Sequence, residues 1–230
     1  MDYKECLKKF NDITDLFINR VDKSVILGDL FEILSIEISN SFDFIQSTKR
    51  SKRHDEILSA YDKNEKESFE QMKEIIYEIC FNASESGEYH DFLGDIYMMS
   101  KTSSKNAGQF FTPYSLSRLN ATLAMQHDEI KRDVNGIIKI NEPSCGSGGQ
   151  VIAAVDFLSK QGINYVTDLF VVAQDIDRRC VHMCYVQLSL LGVPAIVKLQ
   201  NTIKNEPTSD VWYTPALLMQ YLRFRREMNA

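Results

Sequence analysis

The residues with the clearest chemical potential lie in Asn141-Glu-Pro-Ser-Cys-Gly-Ser-Gly-Gly-Gln150. An apolar run, Ile137-Ile-Lys-Ile140, leads into this stretch, and a helical pattern opening at Gln150-Val-Ile-Ala-Ala154 follows it. The glycines therefore fall on a strand-to-helix turn. Glycine lets a ligand approach the backbone with no Cβ in the way, and the free N–H groups of the next helix lend the turn partial positive charge. The chemistry on offer is the holding of an adenosyl or phosphate group. The spacing, Gly146-x-Gly148-Gly149, is not the dinucleotide G-x-G-x-x-G and lacks the Lys-Ser/Thr ending of a P-loop. By spacing alone the stretch is either a ligand loop or a tight connection.

The elements that must position it follow from the apolar pattern. Ile137–Ile140, Leu169-Phe-Val-Val-Ala173 and Ala195-Ile-Val-Lys-Leu199 have strand length and are separated by helical stretches at 150–160 and 178–191. Strand, helix, strand, helix, strand is the pattern of right-handed crossovers and a parallel sheet, which binds ligands outside the carboxyl ends of its strands. The groups facing such a ligand are Ser144 to Gly149, then Asp175 and Asp177, then Asn201 and Thr202. Asp175 is placed to accept ribose hydroxyl protons, whereas Asp177 can instead cap the helix opening at Arg178. Asn201 is either a reader of an adenine edge or a turn residue. Cys180 and Cys184 lie one helical turn apart, but His182 falls on another face, so packing is favoured over metal binding.

Residues 1–100 read as a helical domain, with Leu27, Leu30, Phe31, Leu34 and Ile38 on one face of a helix over 25–45. Lys49, Arg50, Lys52, Arg53 and His54 form a basic segment, read as a solvated turn or a DNA-contacting loop. A long helix is expected from Asp55 to Phe81, with a break near Asp62–Glu67, and another over Asp91–Met99. Lys101–Gly108 reads as a linker, so that 101–112 forms a linker and site-lining segment and 113–230 the partial sheet domain. Thr112 and Pro113 suit a helix start, and Leu116, Leu119, Leu123 and Ala124 are expected to face inward from the helix that follows. Phe110 and Phe111 read as core by themselves.

Composition sets outer limits. The 230 residues carry a net charge of -6, which argues against a chain that wraps nucleic acid unaided. Five cysteines without a CxxC pair point to reduced thiols and a cytoplasmic setting, and no apolar run reaches membrane-spanning length.

In order along the chain, Asp91-Phe-Leu-Gly-Asp-Ile-Tyr97, Gly108-Gln-Phe-Phe-Thr-Pro113, Glu142-Pro-Ser-Cys-Gly-Ser-Gly-Gly149, Gln174-Asp-Ile-Asp177 and Asn201-Thr-Ile203 resemble the successive signatures of one family. It is that of the N6-adenine DNA methyltransferases, in the modification-subunit class of type I restriction-modification systems. The resemblance covers roughly residues 90–203 and implies a Rossmann-like sheet of the S-adenosylmethionine-dependent methyltransferase kind behind an N-terminal helical domain. It implies S-adenosylmethionine as cofactor, with Phe111, Thr112 and Pro113 lining its methionine end. Glu142, Pro143, Ser144, Gly146 and Gly148 belong to the loop beneath it, Asp175 is the ribose acid, and Asn201 stands where the family often has an aspartate at the adenine amine.

The same resemblance exposes a departure. These enzymes hold the flipped adenine with a tetrapeptide of the type Asn-Pro-Pro-Tyr or Phe. None occurs here, and none of the prolines at 113, 143, 194, 207 and 215 adjoins another. The expectation is a truncated or split methylase, or else a catalytically silent S-adenosylmethionine-binding or interaction module. DNA would be reached weakly or through a partner, such as a complementary methylase or specificity subunit or a second copy. The first strand would be an exposed apolar edge, which residues 211–228 or a second copy are expected to cover.

Overall fold

The computed structural model describes residues 2–17, 22–102, 111–126, 130–204 and 206–228. Five helices come first: α1 (Tyr3–Asp15), α2 (Lys23–Asn40), α3 (Ser47–Ser59), α4 (Lys63–Ser86) and α5 (Phe92–Thr102). Helix α2 is the axis of this bundle. Ile26, Leu27, Leu30, Phe31, Ile33, Leu34 and Ile36 are all buried, a wider apolar surface than one face, because other helices cover it on several sides. Helix α4 starts with a capping box, in which Asp62 accepts from the Glu65 N–H and the Glu65 carboxylate accepts from the Asp62 N–H. It ends at Gly87, whose φ of 71° is the left-handed cap. The expected break thus falls just before Asp62.

The basic segment is helical, not a turn. Arg53 pairs with Glu32 through two hydrogen bonds of 2.8 and 3.0 Å, and His54 lies 3.3 Å from Glu37. Arg50 is buried and pairs with Asp43 at 2.7 Å. Carboxylates on neighbouring segments thus engage Arg50, Arg53 and His54, while Lys49 and Lys52 stay exposed. Of the expected linker, Lys101 and Thr102 belong to α5, and 103–108 lie outside the described residues, as do Gln109 and Phe110.

Helix α6 (Tyr114–Gln126) precedes β1 (Ile138–Glu142), α7 (Gly149–Lys160), α8 (Tyr165–Asp168), β2 (Leu169–Asp175), α9 (Arg178–Leu190), β3 (Ala195–Leu199), β4 (Val211–Tyr213) and α10 (Pro215–Met228). The sheet order is β1-β2-β3-β4, with β1, β2 and β3 parallel and β4 antiparallel to β3. One cluster of buried apolar side chains runs from the helical bundle through α9 to the strands.

Two expectations fail here. Leu116, Leu119, Leu123 and Ala124 are exposed, and the buried positions of α6 are Ser117 and Ala121. Small residues four apart let α6 come close to α7, so the leucines are left on the outer side. The C-terminal segment does not cover β1 but closes the opposite edge, on β3. Trp212 is buried there with the Arg50 guanidinium 4.0 Å above its ring, and Arg50 donates to the Val211 carbonyl at 3.0 Å. Gln220 on α10 donates to the carbonyls of Thr167 and Leu169 at 2.9 and 3.0 Å. Among the described residues, β1 meets on its outer side only Arg132, through a single bridge to Ile138. No described helix is long and apolar enough to cross a membrane.

His182 on α9 stands edge-on to Trp212, with ring centroids 5.1 Å apart, and burial lowers its pKa from 6.5 to about 4. The unfolded chain takes up this proton at the higher pH, so the folded state loses stability as pH falls through that window. We expect urea denaturation to give a stability about 2 kcal/mol lower at pH 5 than at pH 7 from this group. His182→Gln should flatten that dependence.

Candidate functional site

The loop after β1 is fixed by its own backbone. The Cys145 N–H donates to the Gln174 carbonyl at 2.8 Å, which stitches the loop to β2. The Asp175 carboxylate at the end of β2 accepts from the Gly146 N–H on Oδ2 and from the Asp177 N–H on Oδ1, each at 2.9 Å. Gly146 has a φ of 52°, and a Cβ there would stand 3.1 Å from the Phe111 ring. Phe111 itself stacks on Tyr97, with centroids 5.3 Å apart. Gly148, at a φ of 101°, turns the chain into α7 against Cys184.

Behind the loop lies Asp91, only 3% exposed, at the start of α5. Its carboxylate accepts from the Ser147 hydroxyl, from Gln187 Nε2 at 2.8 Å and from the Gly94 N–H at 3.1 Å. Gln187 Nε2 also donates to the Ser147 carbonyl at 2.8 Å, and its Oε1 accepts from the Leu93 N–H at 3.1 Å. Burial raises the carboxyl pKa of Asp91, opposed by the three hydrogen bonds it accepts. A Cβ on Gly149 would lie 2.6 Å from Asp91 Oδ2, so that position must be glycine for the carboxylate to fit.

In front of the loop two cavities adjoin. One, of about 400 Å³, is walled by Asp91, Phe111, Thr112, Ser117, Gly146 and Gln150 among others. The second, of about 460 Å³, is walled by Pro143, Gln200, Asn201, Thr202 and Ile203. Ser144, Asp175 and Ile176 belong to both, so the two form one trough with Asp175 at its middle. Thr202 ties its walls together by donating to the Pro143 carbonyl at 2.6 Å. Ile176 and Ile203 are 71% and 98% exposed, an apolar pair with no packing partner to explain it. A polar floor, a fixed acid and an isoleucine at the centre and a second isoleucine at one end suit a nucleoside carrying a polar tail.

Of the residues singled out from sequence, Phe111, Thr112, Pro143, Ser144, Cys145, Gly146, Ser147, Gly149, Asp175, Asn201 and Thr202 line the trough, while Asp177 caps α9 by accepting from the Arg179 N–H. Pro113, Glu142 and Gly148 stand outside its walls. The Pro113 carbonyl accepts from the Ser117 N–H at 3.1 Å, Glu142 accepts from the Ser144 N–H at 3.2 Å, and Gly148 caps α7. Asn201 Oδ1 is engaged in a turn, accepting from the Ile203 and Lys204 N–H groups at 3.1 and 3.2 Å. Ser117, Gln150, Ile176, Gln200 and Ile203 also line the trough without being sequence candidates, and the part played by Asp91 was not legible either. An isoleucine inside the polar run Gln174–Asp177 was the one available signal. Cys180 and Cys184 are buried in the core, and the Cys184 thiol, with burial, pushes the Cys145 pKa up. No group of metal-binding side chains occurs among the described residues.

The N-6 DNA Methylase family profile matches residues 88–214, more than half of the chain. The chain belongs to that family. Two curated relatives are the type I restriction enzyme MjaIX methylase subunit of Methanocaldococcus jannaschii and the MpnII methylase subunit of Mycoplasma pneumoniae. The first is 26% identical over 125 residues, which is 54% of this chain and 20% of the relative. The second is 24% identical over 193 residues, 79% of this chain and 31% of the relative. The chain thus spans between a fifth and a third of these proteins. A Listeria monocytogenes protein assigned to the class I S-adenosylmethionine-dependent methyltransferases superposes on it with a TM-score of 0.52. That match covers 90% of this chain and 55% of the other at 13% identity, and it shows a common fold. The trough lies at the carboxyl ends of the parallel strands, where sheets of this kind bind ligands.

The glycines are separable by stability. Gly149→Ala should cost about 2 kcal/mol by urea denaturation, because its methyl group overlaps the Asp91 carboxylate. Gly28→Ala in α2, where the added Cβ meets nothing closer than 3.4 Å, should be neutral or stabilising by about 0.5 to 1 kcal/mol.

Proposed function

We propose that this chain binds S-adenosylmethionine along the trough and forms the cofactor-binding part of an adenine-N6 DNA methylase whose base-holding element lies outside these 230 residues. The observation that carries the reading is the position of Asp175, fixed by two backbone N–H groups at the midpoint of a trough floored by the glycine loop. Asp175 keeps lone pairs for two ribose hydroxyls after accepting its backbone bonds. Ile176 and Ile203 are exposed on either side of the adenine end, and Asn201 offers its amide there. Phe111, Thr112 and the first N–H groups of α7 stand at the methionine end. S-adenosylmethionine supplies an activated methyl group on a sulfonium. This chain contributes binding and orientation.

Transfer to adenine needs a second set of groups that grips the base, and the sequence has no Asn-Pro-Pro-Tyr or Phe to do so. The open side of β1 and the exposed leucines of α6 suit a complementary methylase polypeptide or a second copy, with DNA reached through that complex. The five cysteines suit a reducing, cytoplasmic setting. The rival, a silent S-adenosylmethionine-binding module, shares the trough and differs only in catalysis.

Calorimetric titration with S-adenosylmethionine tests the reading. Binding is expected in the wild type, and Asp175→Ala should weaken it by about tenfold or more. Absence of binding overturns it. Labelled methyl transfer to adenine-containing DNA should stay at background for the chain alone and rise when a polypeptide with the missing tetrapeptide is added. No rise with any such partner favours the silent module.

A further inference from the structure

The trough has an order. Asn201 and Ile203 stand at one end, Asp175 at the middle, and Asp91, Ser117 and Gln150 at the other. A ligand with its ribose on Asp175 and its base beside Ile203 must run its remaining part towards Asp91. In S-adenosylmethionine that part is an amino acid bearing an α-ammonium and a carboxylate.

Asp91 shares with Asp175 a buried carboxylate that has no cationic partner among the described residues. It is almost wholly buried, yet its three partners are a hydroxyl, a side-chain amide and a backbone N–H, all neutral. Among the described residues no Lys, Arg or His forms an ion pair with it. The starts of α5 and α7 face it and supply partial positive charge only. A carboxylate out of water with neutral donors alone remains under-compensated. In the same wall, Ser117 buries a hydroxyl with no hydrogen-bond partner, although a helical serine has its own i−4 carbonyl within reach.

We propose that Asp91 is the counter-charge for the α-ammonium at the amino-acid end of the cofactor, with Ser117 offering its hydroxyl to the carboxylate beside it. The proposal rests on the S-adenosylmethionine reading above and adds a residue that accounts for one of the chain's signature segments, Asp91–Tyr97. It also links recognition of the ligand to the helical bundle, since Asp91 opens α5.

The test compares two ligands that differ only in the ammonium, S-adenosylhomocysteine and its deamino analogue, by calorimetry on the full chain. Wild type should prefer the first by about tenfold or more. Asp91→Asn should abolish that preference while binding the deamino ligand within about twofold of wild type. Ser147→Ala, which removes a neutral donor and leaves the charge, should retain the preference. An Asp91→Asn variant that keeps the wild-type ratio, or loses both ligands equally while folded, makes Asp91 a structural cap and overturns the proposal. Where circular dichroism shows that variant unfolded, the wild-type ratio decides, and a ratio near one overturns the proposal. Wild type that binds neither these ligands nor 5′-methylthioadenosine overturns the underlying cofactor reading instead.

Discussion

A single carboxylate that water hardly reaches joins the parts of this protein. Asp91 begins α5, Ser147 lies in the glycine loop and Gln187 sits in the middle of α9, and all three meet in one hydrogen-bonded knot. Burying a carboxylate costs several kcal/mol unless donors replace its water. Here the donors come from three separate segments, so none can shift without leaving a buried polar group unpaired. The helical bundle and the ligand loop are therefore one mechanical unit. The glycine at 149 follows from the same knot, since the carboxylate occupies the space a side chain would need.

The two sides of the sheet are treated differently. At β3 the chain returns as β4 and buries Trp212 beneath Arg50, whose guanidinium also bonds the strand's backbone and the Asp43 carboxylate. A charge of the helical bundle thus clamps the edge strand. Among the described residues the outer side of β1 meets only the Arg132 bridge, and the leucines of α6 stand exposed. The chain spans between a fifth and a third of the curated relatives it matches.

Much of the site was legible beforehand because its parts are local. The glycine turn, the acid closing β2 and the βαβ spacing are all written within a few residues, and each carries its own mechanism in backbone sterics or hydrogen bonding. What escaped was non-local. The leucines of α6 have helical spacing, but they face outward because Ser117 and Ala121 make the closer contact with α7. The basic run became a helix because Glu32, Glu37 and Asp43, on α2 and the turn after it, were positioned to pair with it. Asn201 kept both of its readings, a turn residue by its Oδ1 bonds and a member of the trough wall.

By itself the sequence determined the class of fold, the glycine loop, the central acid and the family, since spacing of residue types along the chain is enough to specify strands, turns and signature order. Only the tertiary structure decided which edge of the sheet the C-terminal segment would close, and which buried acid would sit behind the loop without a cation. Those outcomes depend on pairings between residues up to 161 positions apart, as between Arg50 and Val211. No local pattern encodes such a pairing, because its energy exists only once both partners have left water together.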